Sequence, residues 1–238
     1  MSKIHSGKPP IVDNFVAPAC QDVVKILHQD QDFLFIDKPS GLLSLSGKNP
    51  LNWDSVHHRL RNGQDGVTAI FPDATLPHRL DLGTSGVMAV GLHAAFSKHL
   101  NQQFQNRQTT KEYIAMLDGW VADNHGSIDA AIAKDTLLFP RVKICEKTGK
   151  SAITEYTVLR RLVSPRRTLV LFKPITGRTH QLRIHSLYFG HPILGCDLYH
   201  NQHSQQNADR LMLHASKLSF YHPTKATLIH GQSPCSFL

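Results

Sequence analysis

Two short runs, ITEYTVL (153–159) and TLVLFKP (168–174), flank a break at Ser164-Pro165-Arg166-Arg167. Runs of this length rich in Thr, Val and Leu read as strands, and a Ser-Pro break between them reads as a turn. The segment therefore predicts a β-hairpin with a basic tip. Strands joined by so short a turn pair antiparallel, whereas parallel neighbours need a crossover of a dozen residues or so. A chain punctuated in this way, with only a few helices, favours an α+β fold over a doubly wound sheet.

The rest of the chain follows the same punctuation. DFLFID (32–37) is an apolar run stopped by Lys38-Pro39-Ser40-Gly41, and SGVMAVGL (85–92) is small and apolar, as for a buried strand. Residues 111–117 and 211–220 are further strand candidates. Between His93 and Arg107 the residues Phe96, Leu100 and Phe104 recur every four positions, which predicts an amphipathic helix. Residues 54–61 predict a short helix begun by an Asp cap. Another spans 179–189, after a turn at Thr176-Gly177-Arg178 and before Gly190 and Pro192. Residues 1–24, with three prolines and few apolar side chains, read as a loosely ordered arm, leaving 25–238 as one domain.

Charge narrows the function. The 238 residues carry a formal net charge of +8, and the excess is concentrated. Between Asp81 and Glu112 lie 30 residues with no acid and three bases, Lys98, Arg107 and Lys111. Between Glu155 and Asp197 lie 41 with none and seven bases: Arg160, Arg161, Arg166, Arg167, Lys173, Arg178 and Arg183. Acid-free basic stretches can be solvated faces, but so one-sided a distribution favours a phosphate-binding surface. No apolar run approaches the roughly 20 residues that span a bilayer. The N-terminal MSKIHSGKPPIVDNF has no secretory pattern, so the expected location is cytoplasmic. Cys20, Cys145, Cys196 and Cys235 show no CxxC spacing, which argues against a disulfide framework or a thiolate zinc site. His180 and His185 stand five apart, about 140° round a helix, the wrong arrangement for sharing a metal.

One carboxylate stands out. Asp81 lies in His78-Arg79-Leu80-Asp81-Leu82-Gly83-Thr84-Ser85-Gly86, a strand-to-loop segment of small polar residues. Such a loop can present a carboxylate to a ligand, while Gly83 and Gly86 permit close backbone approach. Read on local sequence alone, the favoured role is that of an Asx-turn carboxylate bonded to its own backbone.

HRLDLGTSG nevertheless resembles the signature of the RluA-type pseudouridine synthases, and the likeness continues through DKPSGLL, KEYIA, PITGRTHQLRIH, GHPILG and LMLHASKLSFYHP, over roughly 25–225. The resemblance implies a mixed, largely antiparallel sheet with flanking helices and a central catalytic cleft. It also implies a chain without the separate N-terminal RNA-binding domain that many relatives carry. These enzymes break the N1–C1′ bond of a uridine in RNA, turn the uracil and rejoin it through C5. Nothing is oxidised and nothing leaves, so no redox cofactor is expected, and the histidine and cysteine spacings above give no metal site. Asp81 would be the essential group, either attacking C1′ or taking a proton from C2′.

The resemblance also makes Arg183 the partner that keeps Asp81 ionised and Tyr113 the ring that stacks on the target uracil and assists proton removal at C5. Arg79 would enter the space left by the flipped base, where a planar guanidinium can stack and still meet phosphate. The expected partner is a stem-loop of rRNA or tRNA. The members most alike imply 23S rRNA (uridine 746) and the tRNA anticodon loop (uridine 32), with the protein acting as a monomer. Arg79, Lys98, Arg107, Arg166, Arg167 and Arg178 are expected to line the RNA track, with Asp81 the sole acid near the phosphates. The segment 138–143 stands where relatives often have a more lysine-rich loop, which bears on the choice of RNA. A competing class is an RNA-binding protein on this scaffold without activity, but binding alone needs bases and not Asp81. A kinase reading of HRLD fails, because that signature places Asp directly after Arg and needs a Gly-rich loop.

Overall fold

The computed structural model describes residues 15–64 and 70–238, so the expected arm is described only from Phe15 onward. Its apolar runs become strands in chain order. The first half forms β1 (Lys25–Gln29), β2 (Phe33–Lys38), α1 (Val56–Asn62), β3 (Ser85–Gly91) and α2 (Ala94–Gln105). The second forms β4 (Thr110–Asp118), β5 (His125–Asp129), β6 (Ile132–Lys134), β7 (Val142–Ile144), β8 (Ile153–Leu162), β9 (Arg167–Pro174), α3 (Gln181–Tyr188) and α4 (Gln202–Gln206). Two closing strands are β10 (Leu213–Tyr221) and β11 (Leu228–Gln232).

Nine strands make one sheet in the order β1-β2-β3-β10-β4-β9-β8-β5, with β11 also on β10, and β6 and β7 form a small separate pair. The expected hairpin is β8–β9, paired from Thr154 opposite Pro174 to Leu162 opposite Arg167 with one register shift between Val158 and Arg160. It continues three residues past the run read from sequence, and Arg161 in that extension donates through Nε to the Val121 carbonyl at 2.7 Å. The fold is α+β, its pairings antiparallel except where β3 meets β10.

That exception divides the sheet in two. The first half buries Phe33, Phe35, Phe96 and Phe220 with Leu100 of α2; Phe33 stacks on Phe96 and meets Phe220 edge-on. The second buries Tyr156, Phe172, Ile193 and Tyr199 beneath Leu182 and Ile184 of α3. Tyr113 packs against both cores. At the seam His214 and Ala215 lie beside Ser85 and Gly86. Gly86 has φ +116°, and a Cβ there would stand 2.2 Å from the Ala215 carbonyl oxygen, so the seam closes only over glycine.

Two local expectations change. The cap of α1 is Ser55, whose Oγ accepts from His58 N at 3.1 Å, while the expected cap, Asp54, turns back to hold the Arg59 guanidinium at 2.7 Å. Residues 15–24 have no regular structure up to Val24 but are tied to the body. Ala17 N donates to Asn52 Oδ1 at 2.8 Å, and Arg59 Nη2 donates to the Cys20 carbonyl at 2.6 Å.

Candidate active site

Asp81 reaches the cleft on a loop, 77–84, that is positioned by the turn after β2. Ser44 Oγ donates to the Leu80 carbonyl at 2.7 Å and accepts from Leu80 N at 3.2 Å. Gly41 N donates to the Leu82 carbonyl at 2.9 Å, and Ser40 Oγ to the Gly83 carbonyl at 2.7 Å. Lys38 is fully buried, and burial lowers its ammonium to about 7. Its Nζ donates to the carbonyls of Pro39, Leu42 and Leu82, one for each ammonium proton. The DKPSGLL run, read from sequence as a strand and a turn, is therefore a polar clamp on the loop that carries Asp81.

The Asp81 carboxylate faces α3. Arg183 Nη1 lies 3.6 Å from Oδ2, and His180 Nε2 lies 3.9 Å from Oδ1. Arg183 is itself almost fully buried, its side chain 5% exposed. Its Nη2 bonds Asp197, its Nε points at Cys196 Sγ (3.4 Å), and its plane lies over the Tyr199 ring. Tyr199 OH accepts from Val142 N at 2.7 Å, so its proton is free for His180 Nδ1 at 2.9 Å. That arrangement puts the ring proton of neutral His180 on Nε2, toward Asp81. Burial holds the His180 pKa below the ordinary imidazole value, consistent with the neutral form. His180 sits at φ +53°, a left-handed position at the start of α3 that directs its ring inward.

The opposite wall is β4. Lys111 and Tyr113 are two residues apart and share a face of the strand. Burial, with the Asp81 charge beside it, pushes the Tyr113 phenol well above its ordinary range, so the ring enters the cleft as a neutral phenol. Burial lowers Lys111, whose Nζ points at the Thr176 carbonyl. His78 accepts from Ala89 N at 2.9 Å, and burial followed by the charge of Lys111 lowers it to about 3. Between these walls is a half-open cleft of about 570 Å³, which also receives Arg79, Arg107 and Arg178.

The structure thus brings together Asp81, Tyr113, Arg183, Arg79, Arg107 and Arg178. Lys98 is exposed on α2 and is not among the residues lining the cleft. Arg166 and Arg167 stand at the far end of the β4–β9 pairing. Arg167 lies opposite Asp118 and Tyr113 opposite Phe172, five residues or about 17 Å apart along the strands. Arg166 is exposed, and Arg167 is half-buried with Nη2 near the Asn207 carbonyl at 3.3 Å. The expectation that Asp81 is the sole acid at this place is corrected by Asp197, which shares its guanidinium. Asp197, Tyr199 and the role of His180 were not legible, because their contacts are made across 14 to 19 residues of chain.

The histidines resolve locally. His185 is fully buried between Thr154 Oγ1 and the Ala130 carbonyl, each at 3.0 Å. Among the described residues Asp30, Asp32 and His222 have ligand-like spacing. His222 Nδ1, however, accepts from the amides of Thr224 and Lys225, so its proton is on Nε2 and points at the carboxylates. The carboxylates are thus taken up by hydrogen-bond donors of the protein, Lys225 Nζ on Asp30 and His93 Nε2 on Asp32.

A mixed sheet split by one parallel seam, with an Asp–Arg pair and a tyrosine at the seam, defines the class. Residues 32–188 match the family model described as RNA pseudouridylate synthase, and the chain belongs to that family. Within it, the chain is 43% identical over 212 residues to the dual-specificity RNA pseudouridine synthase RluA of Yersinia pestis, covering 89% of this chain and 99% of that one. It is 39% identical to the protein of that name from Escherichia coli K12, covering 89% and 93%. Among solved structures, human RNA pseudouridylate synthase domain containing 1 superposes with a TM-score of 0.76 at 28% identity, covering 93% of this chain and 87% of that one. The chain is an RNA pseudouridine synthase, an isomerase. Among the described residues no helix is long and apolar enough to cross a membrane.

Proposed function

We propose that this enzyme converts uridine to pseudouridine in two kinds of stem-loop, a hairpin of 23S rRNA (uridine 746) and the anticodon loop of tRNA (uridine 32), through Asp81. The supporting observation is the Asp81 carboxylate 3.6 Å from a buried guanidinium in a cleft walled by Tyr113. The names of the relatives carry the dual specificity.

In this reading the target uridine leaves its stack and enters the cleft, where the neutral Tyr113 ring supplies a stacking face. Arg79 occupies the vacated position in the RNA, and Arg107 and Arg178 meet phosphates at the rim. Asp81 opens the N1–C1′ bond, by bonding C1′ or by taking the C2′ proton, and the bonding electrons leave on the uracil. The uracil turns and C5 joins C1′. Arg183 keeps Asp81 ionised before the reaction, and Tyr113 assists removal of the C5 proton. The protein acts as a monomer in the cytoplasm and needs no cofactor.

The test is to incubate the purified protein with unmodified transcripts of both stem-loops and map pseudouridine. Conversion at the two named uridines is expected. Absence of pseudouridine from both transcripts, with conversion elsewhere in total RNA, would overturn the substrate assignment.

A further inference from the structure

Arg183 has more counter-charge than a single catalytic carboxylate supplies. The guanidinium is almost fully buried, and its two terminal nitrogens are divided: Nη1 faces Asp81 at 3.6 Å, and Nη2 bonds Asp197 directly. Nε points at Cys196 Sγ, and one face of the guanidinium lies over the Tyr199 ring. Asp197 differs from Asp81 in being largely solvated on its outer side, its side chain 69% exposed. A buried cation stripped of its only anion is strongly disfavoured.

We propose that Asp197 is the standing counter-ion of Arg183, a positioning residue that keeps the guanidinium compensated while Asp81 gives up its charge during the reaction. This rests on the reading of Asp81 as the reacting group. By either route the carboxylate ends neutral. If it bonds C1′, one of its oxygens becomes an ester oxygen. If it takes the C2′ proton, it becomes a carboxylic acid as C1′ and C2′ form a double bond. In both, the electron pair of the N1–C1′ bond and the negative charge pass to the uracil. Without Asp197, Arg183 would resist the discharge of Asp81 and then hold the uracil anion that has to turn. With Asp197 in place, the cation is paired before, during and after the step.

Single-turnover rates and RNA affinities of Asp197→Asn and Asp197→Glu, each with a melting curve, test this. Asp197→Asn removes a negative charge beside the RNA, so its affinity is expected to equal or exceed that of the parent. Its single-turnover rate is expected to fall about tenfold or more, with an unchanged melting temperature, and Asp197→Glu is expected to recover most of the loss. An Asp197→Asn protein as fast as the parent would overturn the proposal. So would a slow variant that also melts early or binds RNA poorly, since that is the signature of a merely structural residue. Asp81→Asn is run alongside. If it turned over, the reading of Asp81 would fail and this proposal with it; if it is inactive while Asp197→Asn is fast, only the proposal fails.

Discussion

The two halves of the sheet contribute to the cleft in different ways. The first half offers Asp81 on a loop, and what places that loop is a set of hydrogen bonds from Lys38, Ser40, Gly41 and Ser44 to backbone groups of 80–83. The second half offers Tyr113, Arg183 and Tyr199 from a strand, a helix and a buried loop packed on their own core. In one half side-chain and amide contacts to the loop backbone set the geometry, and in the other apolar packing does so together with polar contacts among side chains, Arg183 to Asp197 and His180 to Tyr199. Neither half holds both members of the Asp81–Arg183 pair, so the site exists only while β3 and β10 stay joined.

Breaking the seam should therefore have the largest effect. Gly86→Ala drives a methyl group into the Ala215 carbonyl, and we expect a loss of about 3 kcal/mol or more in urea unfolding, with turnover abolished. Acid acts next, through the cleft wall. His78 is held at about 3 when folded and near its ordinary value when unfolded, so between roughly pH 6.5 and 3 the unfolded chain binds the extra proton. Stability then falls as pH falls across that window, and Asn in place of His78 should remove a cumulative loss of roughly 3 kcal/mol by pH 4.

Ser44→Ala tests the polar clamp on the first half. It leaves Leu80 N and the Leu80 carbonyl without their partner, and we expect about 1 to 2 kcal/mol of destabilisation. Turnover should fall about tenfold at unchanged RNA affinity, because Asp81 follows Leu80 directly. The smallest effect belongs to Arg166→Gln at the distal hairpin tip. Its change in the salt dependence of RNA binding should stay well below the slope of about one unit per lost phosphate contact expected for Arg79→Gln or Arg178→Gln. An equal effect at Arg166 would extend the RNA track to the far end of β9.

How legible each half was follows from the same physics. Strands with long buried runs, such as β2 and β3, and the four-residue spacing of α2 announced themselves because burial imposes a pattern on adjacent residues. The strands β1, β5, β6, β7 and β11 are short or largely exposed, so packing imposes little pattern on them and the sequence does not show them. Asp81, Tyr113 and Arg183 were found through long motifs. Asp197 and Tyr199 were not, because nothing near Arg183 in the chain says that its guanidinium will need a second anion and a ring 14 and 16 residues away. The place of Arg166 and Arg167, at the end of β9 away from the cleft, was not legible for the converse reason: a count of bases along the chain does not say which end of a strand faces the cleft.

The most direct test of the whole account is tritium release from RNA labelled at uracil C5, measured under single-turnover conditions for the parent and for Asp81→Asn, with RNA affinity determined on the same preparations. The account predicts stoichiometric release by the parent and none above background by Asp81→Asn, at comparable affinity for RNA. Release by Asp81→Asn at a rate near that of the parent would contradict it.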